Sequence, residues 1–216
     1  MNKEQLLKAL KEARGNAKKR NFAQTVELIV NFKGLNLKSV DHQVDFYMSI
    51  KHPWKDTKIC GLVAAELNDS SKATFDNTIP AQEFAKYDGK KKEIKQIARQ
   101  YDYFVAQANL MPQVAKTFGR FFGPINKMPS PKAGCVVPGN ANLEQVKERL
   151  NKMIRVNVKT IPMFQIGIGK EESKDEDMAE DVMAIYKQVI HHMPAEQQNV
   201  KSIYVKMTMG KPVRVE

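Results

Sequence analysis

Residues 25–32, with the sequence TVELIVNF, alternate between apolar and polar side chains. The alternation places Val26, Leu28, Val30 and Phe32 between the polar residues Thr25, Glu27 and Asn31. A period of two predicts a β-strand with one face buried and the other in water. A second alternating stretch, residues 44–50, follows a turn region that contains Gly34. We expect the two strands to be antiparallel neighbours, because they alternate in the same way across a turn.

The same alternation returns towards the end of the chain. The later strands are predicted at residues 154–158, 164–168 and 200–207. Apolar residues at helical spacing predict an amphipathic helix over residues 3–17. Residues 173–176, SKDE, match a capping box that opens a second helix. Both ends of the chain therefore predict an antiparallel sheet packed with helices.

The middle of the chain has a different pattern. Short apolar runs at residues 59–63 and 103–106 are typical of strands buried on both faces, and helical patterns lie between and after them. Residues 52–57 contain a proline among polar residues and are interpreted as a linker. The fold class is therefore α/β with two domains. Residues 1–57 and 154–216 form a split domain, and residues 58–153 are inserted into it.

Charge is unevenly distributed along these 216 residues. The formal net charge is +11, with a pI near 9.5. Residues 1–58 carry 12 basic and 6 acidic side chains, residues 59–154 carry 14 and 9, and residues 155–216 carry nine of each. A basic surface attracts polyanions, and nucleic acid is the commonest one inside cells. No run of about 18 apolar residues exists, so we expect a cytoplasmic protein without a membrane partner.

Residue patterns for catalysis are weak. Residues 61–66 lack the spaced glycines of a dinucleotide site, and residues 167–170, GIGK, are followed by Glu171 where a phosphate loop needs Ser or Thr. Cys60 and Cys135 are predicted to be small, partly buried hydrophobes. We therefore expect no catalytic residue, metal site or cofactor. Two alternatives stay open, a nucleotide-binding enzyme that uses the α/β insert and a basic adaptor that binds protein partners without RNA.

Three segments combine the residue types that RNA-binding surfaces use. Residues 19–27 join a basic cluster to Phe22 and short polar groups. The alternative is that Phe22 belongs to the core. Residues 202–212 form a strand that runs into a Met-Gly turn, in which glycine permits a close approach or a positive φ. Residues 122–131 form a proline-rich basic loop, which we expect to be irregular and exposed.

Together these segments resemble the large-subunit ribosomal protein L-one family, in its archaeal type, whose members belong to the mobile lateral stalk. The matching residues are Arg20-Asn21-Phe22, Thr25-Val26-Glu27, Gly123-Pro124, Lys127-Met128-Pro129-Ser130-Pro131, Ser202 and Thr208-Met209-Gly210. The resemblance covers the whole chain in order. Family members commonly have an Arg-Gly pair before the lysine of the proline-rich loop, where this chain has Ile125 and Asn126.

The resemblance implies a split α+β domain, with an antiparallel sheet and helices on one face. It also implies a Rossmann-like, three-layer α/β insert, joined by a hinge. The resemblance further implies that the protein is a structural component of the large ribosomal subunit, where it is present as a monomer. It would bind the stalk helices of ribosomal RNA, assist release of deacylated transfer RNA at the exit site, and repress translation by binding its own messenger RNA.

The resemblance also implies which residues contact RNA. The main contact would consist of Phe22, Thr25, Glu27, Ser202, Thr208, Met209 and Gly210. Charge and proximity add Lys19, Arg20, Lys201 and Lys211. A secondary contact would involve Gly123, Lys127 and Lys132. Because an acid repels phosphate, we expect Glu27 to accept hydrogen bonds from 2′-hydroxyls or base amino groups in a desolvated contact.

Overall fold

The computed structural model describes residues 2–39 and 42–215. The helices are α1 (Lys3–Gly15), α2 (Asn68–Thr74), α3 (Phe84–Tyr87), α4 (Lys91–Gln100), α5 (Met111–Phe122), α6 (Leu143–Asn151) and α7 (Asp175–His191). The strands are β1 (Thr25–Phe32), β2 (Val44–Ser49), β3 (Ile59–Val63), β4 (Asn77–Pro80), β5 (Tyr103–Gln107), β6 (Val136–Val137), β7 (Met153–Val158), β8 (Met163–Lys170), β9 (Val200–Met207) and β10 (Val213–Arg214).

The chain forms two compact units. Unit 1 consists of Met1–Lys55 and Ile154–Glu216, and unit 2 of Asp56–Met153. The chain therefore passes between the units twice, once in the segment predicted to be a linker. The functions that were predicted for the two domains from the sequence remain predictions.

The main sheet of unit 1 has four strands in the order β10-β9-β1-β8. β1 lies in its interior and pairs antiparallel with β8 on one side and β9 on the other. Every second residue of β1 is buried, so the predicted strand with one buried face is confirmed. Side chains of α1 and α7, including Leu6, Leu10 and Val182, join the core on that face.

The predicted pairing of β1 with residues 44–50 is wrong. β2 pairs instead with β7 in a separate two-stranded sheet. The reason is that β8 and β9 occupy both edges of β1, so no backbone groups are left there for β2. Between β2 and β7, the Arg155 guanidinium donates two hydrogen bonds to the Asp45 carboxylate, at 2.8 and 3.0 Å.

Unit 2 contains a parallel sheet in the order β4-β3-β5-β6. All five residues of β3 are buried, as expected for a parallel strand covered on both faces. Cys60 and Leu62 share a core cluster with Phe118 of α5. On the other face, a Cβ added at Gly61 would lie 2.2 Å from the Ser71 Oγ of α2. The parallel sheet with helices, together with the antiparallel sheet of unit 1, confirms the predicted fold class.

Two predicted helix boundaries need correction. α1 ends at Gly15, before the predicted residue 17. The predicted capping box is also wrong, since Lys174 occupies the N-cap of α7 without a side-chain hydrogen bond. Ser173 Oγ instead accepts a hydrogen bond from the Lys170 N–H at 3.0 Å, at the end of β8. The acidic first turn of α7 complements the helix dipole without that cap.

Candidate nucleic-acid interface

The ends of β1 and β9 meet at one edge of unit 1. The Thr208 hydroxyl accepts a hydrogen bond from the Thr25 N–H at 3.0 Å and donates one to the Thr25 carbonyl at 3.2 Å. The Thr208 N–H donates to the same carbonyl at 3.0 Å. Thr208 therefore extends the ladder between the two strands by one residue. The single proton of its hydroxyl is used within the protein.

Gln24 connects three segments beside this junction, and its side chain is only 1% exposed. Its Nε2 donates to the Lys18 carbonyl at 3.2 Å, and its Oε1 accepts from the Met209 N–H at 3.2 Å. The Gln24 carbonyl accepts from the Glu171 N–H at 2.8 Å. Gln24 therefore holds the basic connection, which we define as residues 16–24, against the Thr-Met-Gly turn, residues 208–210. This role of Gln24 was not predicted from the sequence, because no local pattern distinguishes this glutamine from a solvated one.

Two large apolar side chains extend into water at the same junction. Phe22 is 51% exposed and Met209 is 59% exposed. The alternative that Phe22 belongs to the core is therefore wrong. The Gly210 N–H donates to the Met207 carbonyl at 2.9 Å, and a Cβ added at Gly210 would lie 3.1 Å from the Met207 Cβ. Close packing, and not a positive φ, accounts for this glycine.

Glu27 has partners within the protein that the sequence did not predict. Gln165 Nε2 donates to Glu27 Oε2 at 2.5 Å. Lys206 Nζ lies 3.7 Å from Glu27 Oε2 and donates to the Thr208 carbonyl at 3.2 Å. The antiparallel register explains the contact between Lys206 and Glu27, because the two residues stand directly opposite each other in β9 and β1. The carboxylate therefore has a compensating charge and further lone pairs that can accept hydrogen bonds.

Trp54 lies beside the same strands, although the sequence assigned it only to a linker. Its Nε1 donates to the Gly167 carbonyl at 3.1 Å. A Cβ at Gly167 would lie 2.6 Å from the indole ring and 3.1 Å from the Thr25 Cγ2. Glycine is therefore required here for the indole to approach β8. Trp54 is the only tryptophan of the chain, and a lone indole in a polar segment was a signal that could have been used.

The predicted contact residues are only partly brought together. Lys201 and Ser202 lie towards the opposite end of β9 from Thr208, about 20 Å away along an extended strand. Ser202 is 7% exposed, and its hydroxyl accepts a hydrogen bond from the Asn31 side chain at 3.1 Å. The remaining predicted cations of unit 1, Lys19, Arg20 and Lys211, are exposed.

The proposed secondary contact in unit 2 is irregular, as predicted, but only partly exposed. Gly123 and Lys132 are exposed. The Lys127 ammonium donates to the Ala98 carbonyl at 2.8 Å, at the C-terminal end of α4. Asn126 has a φ of 56°, in the left-handed region that favours glycine. Asparagine tolerates that region better than most other residues with a side chain.

The strand ends of unit 2 offer little to a nucleotide. The buried Gln107 side chain accepts from the Ala64 N–H at 3.0 Å and donates to the Glu66 carboxylate at 3.3 Å. A carboxylate beside the strand ends repels phosphate. Burial raises the pKa of the Cys60 thiol to about 12, with the Asp76 charge adding to it, and burial raises the pKa of the Cys135 thiol to about 11. Both thiols therefore stay protonated at neutral pH and are poor nucleophiles.

Metal clusters and membrane-spanning helices are both absent from the described part of the chain. Residues 2–39 and 42–215 contain no group of three or more His, Cys, Asp or Glu side chains arranged to hold a metal ion. In the same ranges, no helix is long and apolar enough to cross a membrane.

Comparison with known proteins gives matches along almost the entire chain. The sequence model of the Ribosomal protein L1p/L10e family matches residues 10–211. The chain is 37% identical to the large ribosomal subunit protein uL1 of Methanothermococcus thermolithotrophicus, covering 100% of both chains. It is 34% identical to the protein of that name from Thermococcus kodakarensis, over 99% of this chain and 98% of the relative. The one from Nanoarchaeum equitans is 37% identical, over 95% and 97%.

Proposed function

Because this chain belongs to the ribosomal protein L1p/L10e family, we propose that it is a structural protein of the large ribosomal subunit that binds ribosomal RNA through unit 1. The archaeal relatives confirm the resemblance found in the sequence, and the cytoplasmic ribosome is the corresponding location. Membership of a family of ribosomal proteins also favours a structural role over the alternative of a nucleotide-binding enzyme.

One observation carries the proposal for RNA binding, namely the junction that Gln24 and Thr208 build from distant parts of the sequence. It presents Phe22 and Met209 to solvent next to the exposed cations of the basic connection. Cations attract the phosphate backbone, while an exposed ring offers a surface on which a sugar or base can pack. Because hydrogen bonds fix both strand ends, this surface needs little reordering on binding.

Glu27 contributes selectivity for ribose within this proposal. Lys206 compensates the charge of the carboxylate, and Gln165 fixes one of its oxygens. Glu27 Oε1 accepts a hydrogen bond from a 2′-hydroxyl, which DNA lacks. Replacing the 2′-hydroxyls of the bound strand by hydrogen therefore weakens binding by the wild type more than binding by Glu27→Ala, which has no side-chain oxygen to accept their hydrogen bonds.

The direct test uses a transcript of the stalk helices of large-subunit RNA in filter binding. Phe22→Ala and Met209→Ala should each weaken binding, the former by about tenfold, because base stacking on an aromatic ring is worth about 1–3 kcal/mol. Ile161→Ala is the matched control, since Ile161 is 59% exposed in unit 1 but belongs to another loop. Equal affinities for all four proteins would reject the proposal.

We further propose that the protein assists release of deacylated transfer RNA at the exit site and represses its own messenger. The resemblance to the stalk protein and the net charge of +11 support these roles. A messenger leader that mimics the stalk RNA competes for the junction. Phe22→Ala should therefore weaken the binding of the leader and of the stalk RNA by the same factor. Unchanged binding of the leader would separate the repressor role from this surface.

A further inference from the structure

Helix α4 of unit 2 carries four basic side chains that the junction on unit 1 does not explain. Lys91, Lys92, Lys95 and Arg99 are all exposed. At about 100° per residue, they fall within an arc of about 100° on one flank of the helix. The other exposed side chains of the helix, Glu93, Gln96 and Gln100, lie on the other flank. We call the four basic residues the cationic stripe.

The cationic stripe is not neutralised within the described part of the chain. None of its four members forms an ion pair or side-chain hydrogen bond with any residue in 2–39 or 42–215. The one acidic residue of α4, Glu93, is paired with Lys90 at 3.1 Å instead. The stripe is therefore an uncompensated positive surface.

The clustering of like charges on α4 destabilises the helix. Lys91 and Lys95, and Lys95 and Arg99, are like charges at i,i+4 spacing, which destabilise a helix by about 0.2–0.5 kcal/mol per pair. Lys91 and Lys92 also occupy the first turn, where the helix dipole disfavours cations. Folding alone gives no reason for this placement, whereas an anionic partner would.

We propose that the cationic stripe binds the phosphate backbone of RNA, as a second contact that unit 2 makes independently of the junction on unit 1. From Lys91 to Arg99 the stripe extends about 12 Å along the helix axis. A nucleic-acid strand carries one charge per about 3.4 Å of duplex axis, so three to four phosphates match four cations over that length. The contact recognises charge and not sequence, because lysine and arginine on phosphate carry no base information.

The test measures binding of the full-length protein to a 20-base-pair RNA duplex of mixed sequence, by fluorescence anisotropy over a series of salt concentrations. Lys91→Gln/Lys95→Gln/Arg99→Gln should lower the slope of log K against log salt by about 2–3, because each phosphate that the protein neutralises contributes about 0.9 to that slope. Its melting temperature should be equal to or above that of the wild type, because like-charge repulsion is removed.

Two controls make the result decisive. Lys58→Gln/Lys72→Gln/Lys152→Gln removes the same charge from exposed positions of unit 2 outside the stripe, and should change the slope by less than one. Lys91→Arg/Lys95→Arg/Arg99→Lys keeps the charge and should keep the wild-type slope. The proposal is overturned if the stripe variant behaves like the first control, or if the charge-preserving variant also has a reduced slope.

A third arm distinguishes RNA from an acidic protein surface. The stripe variant and the wild type are compared for binding to poly-glutamate under the same salt conditions. A loss of poly-glutamate binding without a loss of RNA binding would overturn the proposal in favour of an acidic protein partner. Phe22→Ala should leave the slope for the mixed duplex unchanged, so failure of the stripe and failure of the junction give different results.

Discussion

The two sheets of this protein use their faces differently. In unit 1, β1 buries alternate residues and leaves Thr25, Glu27 and Asn31 only partly covered. In unit 2, every residue of β3 is buried, because helices lie on both faces of the parallel sheet. A sheet with an open face can present its own side chains to a partner. A sheet covered on both faces presents the outer surfaces of its helices instead, which is where the cationic stripe lies.

The largest effect expected from this difference is on stability. Leu62→Ala in β3 should lower the free energy of unfolding by about 2–5 kcal/mol, the usual cost of removing a fully buried leucine side chain. Ile29→Ala, on the partly covered face of β1, should cost about 1 kcal/mol. Urea unfolding checks both, with Trp54 fluorescence reporting unit 1 and labelling of the two cysteines reporting unit 2. Equal costs at the two sites would break the comparison.

A pH-dependent contribution is expected from unit 1. The hydrogen bond from Arg155, supported by Lys159 and opposed by desolvation, lowers the pKa of Asp45 from 3.8 to about 2. A lowered pKa in the folded state stabilises the protein above about pH 4, and this stabilisation is lost as the pH falls from about 4 to 2. Because solvent screens part of this interaction, Asp45→Asn should cost about 1–2 kcal/mol at pH 7. That difference from the wild type should vanish near pH 2 in urea titrations, and a constant difference would contradict the assignment.

A smaller effect tests how the open end of the unit 1 sheet is held. Gln24→Leu removes two side-chain hydrogen bonds at a buried position and should cost about 1–2 kcal/mol of unfolding free energy. It should also weaken binding of the stalk RNA transcript, because the basic connection and the Thr-Met-Gly turn are no longer tied together. Gln188→Leu makes the same chemical change at an exposed position of α7 and should change neither quantity. Wild-type RNA affinity for Gln24→Leu would show that the tie is not needed for the interface.

The smallest effect concerns the Thr208 hydroxyl. Thr208→Val keeps the shape of the side chain but removes the two hydrogen bonds that the hydroxyl makes with Thr25, and should cost about 1 kcal/mol in urea unfolding. Thr208→Ser keeps the hydroxyl and should restore most of the stability. If both variants weaken RNA binding without loss of stability, the side chain acts on RNA directly and not through the strand junction.

Local patterns predicted the elements well, and long-range pairing poorly. The alternation at residues 25–32 and 200–207 predicted strands where the structure has β1 and β9. The partner of β2 could not be predicted, because alternation says which face is buried but not which strand lies alongside. Thr208 and Phe22 were selected by resemblance. The hydrogen bonds of Gln24 could not be found in that way, because its partners lie 6 and 185 residues away.

The sequence by itself determined the fold class, the basic character and the family, because periodicity, charge and motif order are properties of the chain read in one dimension. The tertiary structure alone decided that Phe22 lies at the surface and that Thr208 meets Thr25. It also gave Glu27 its partner Lys206 and brought Trp54 against Gly167. These contacts depend on strand register and on the packing of distant segments, and a sequence pattern carries no information about either.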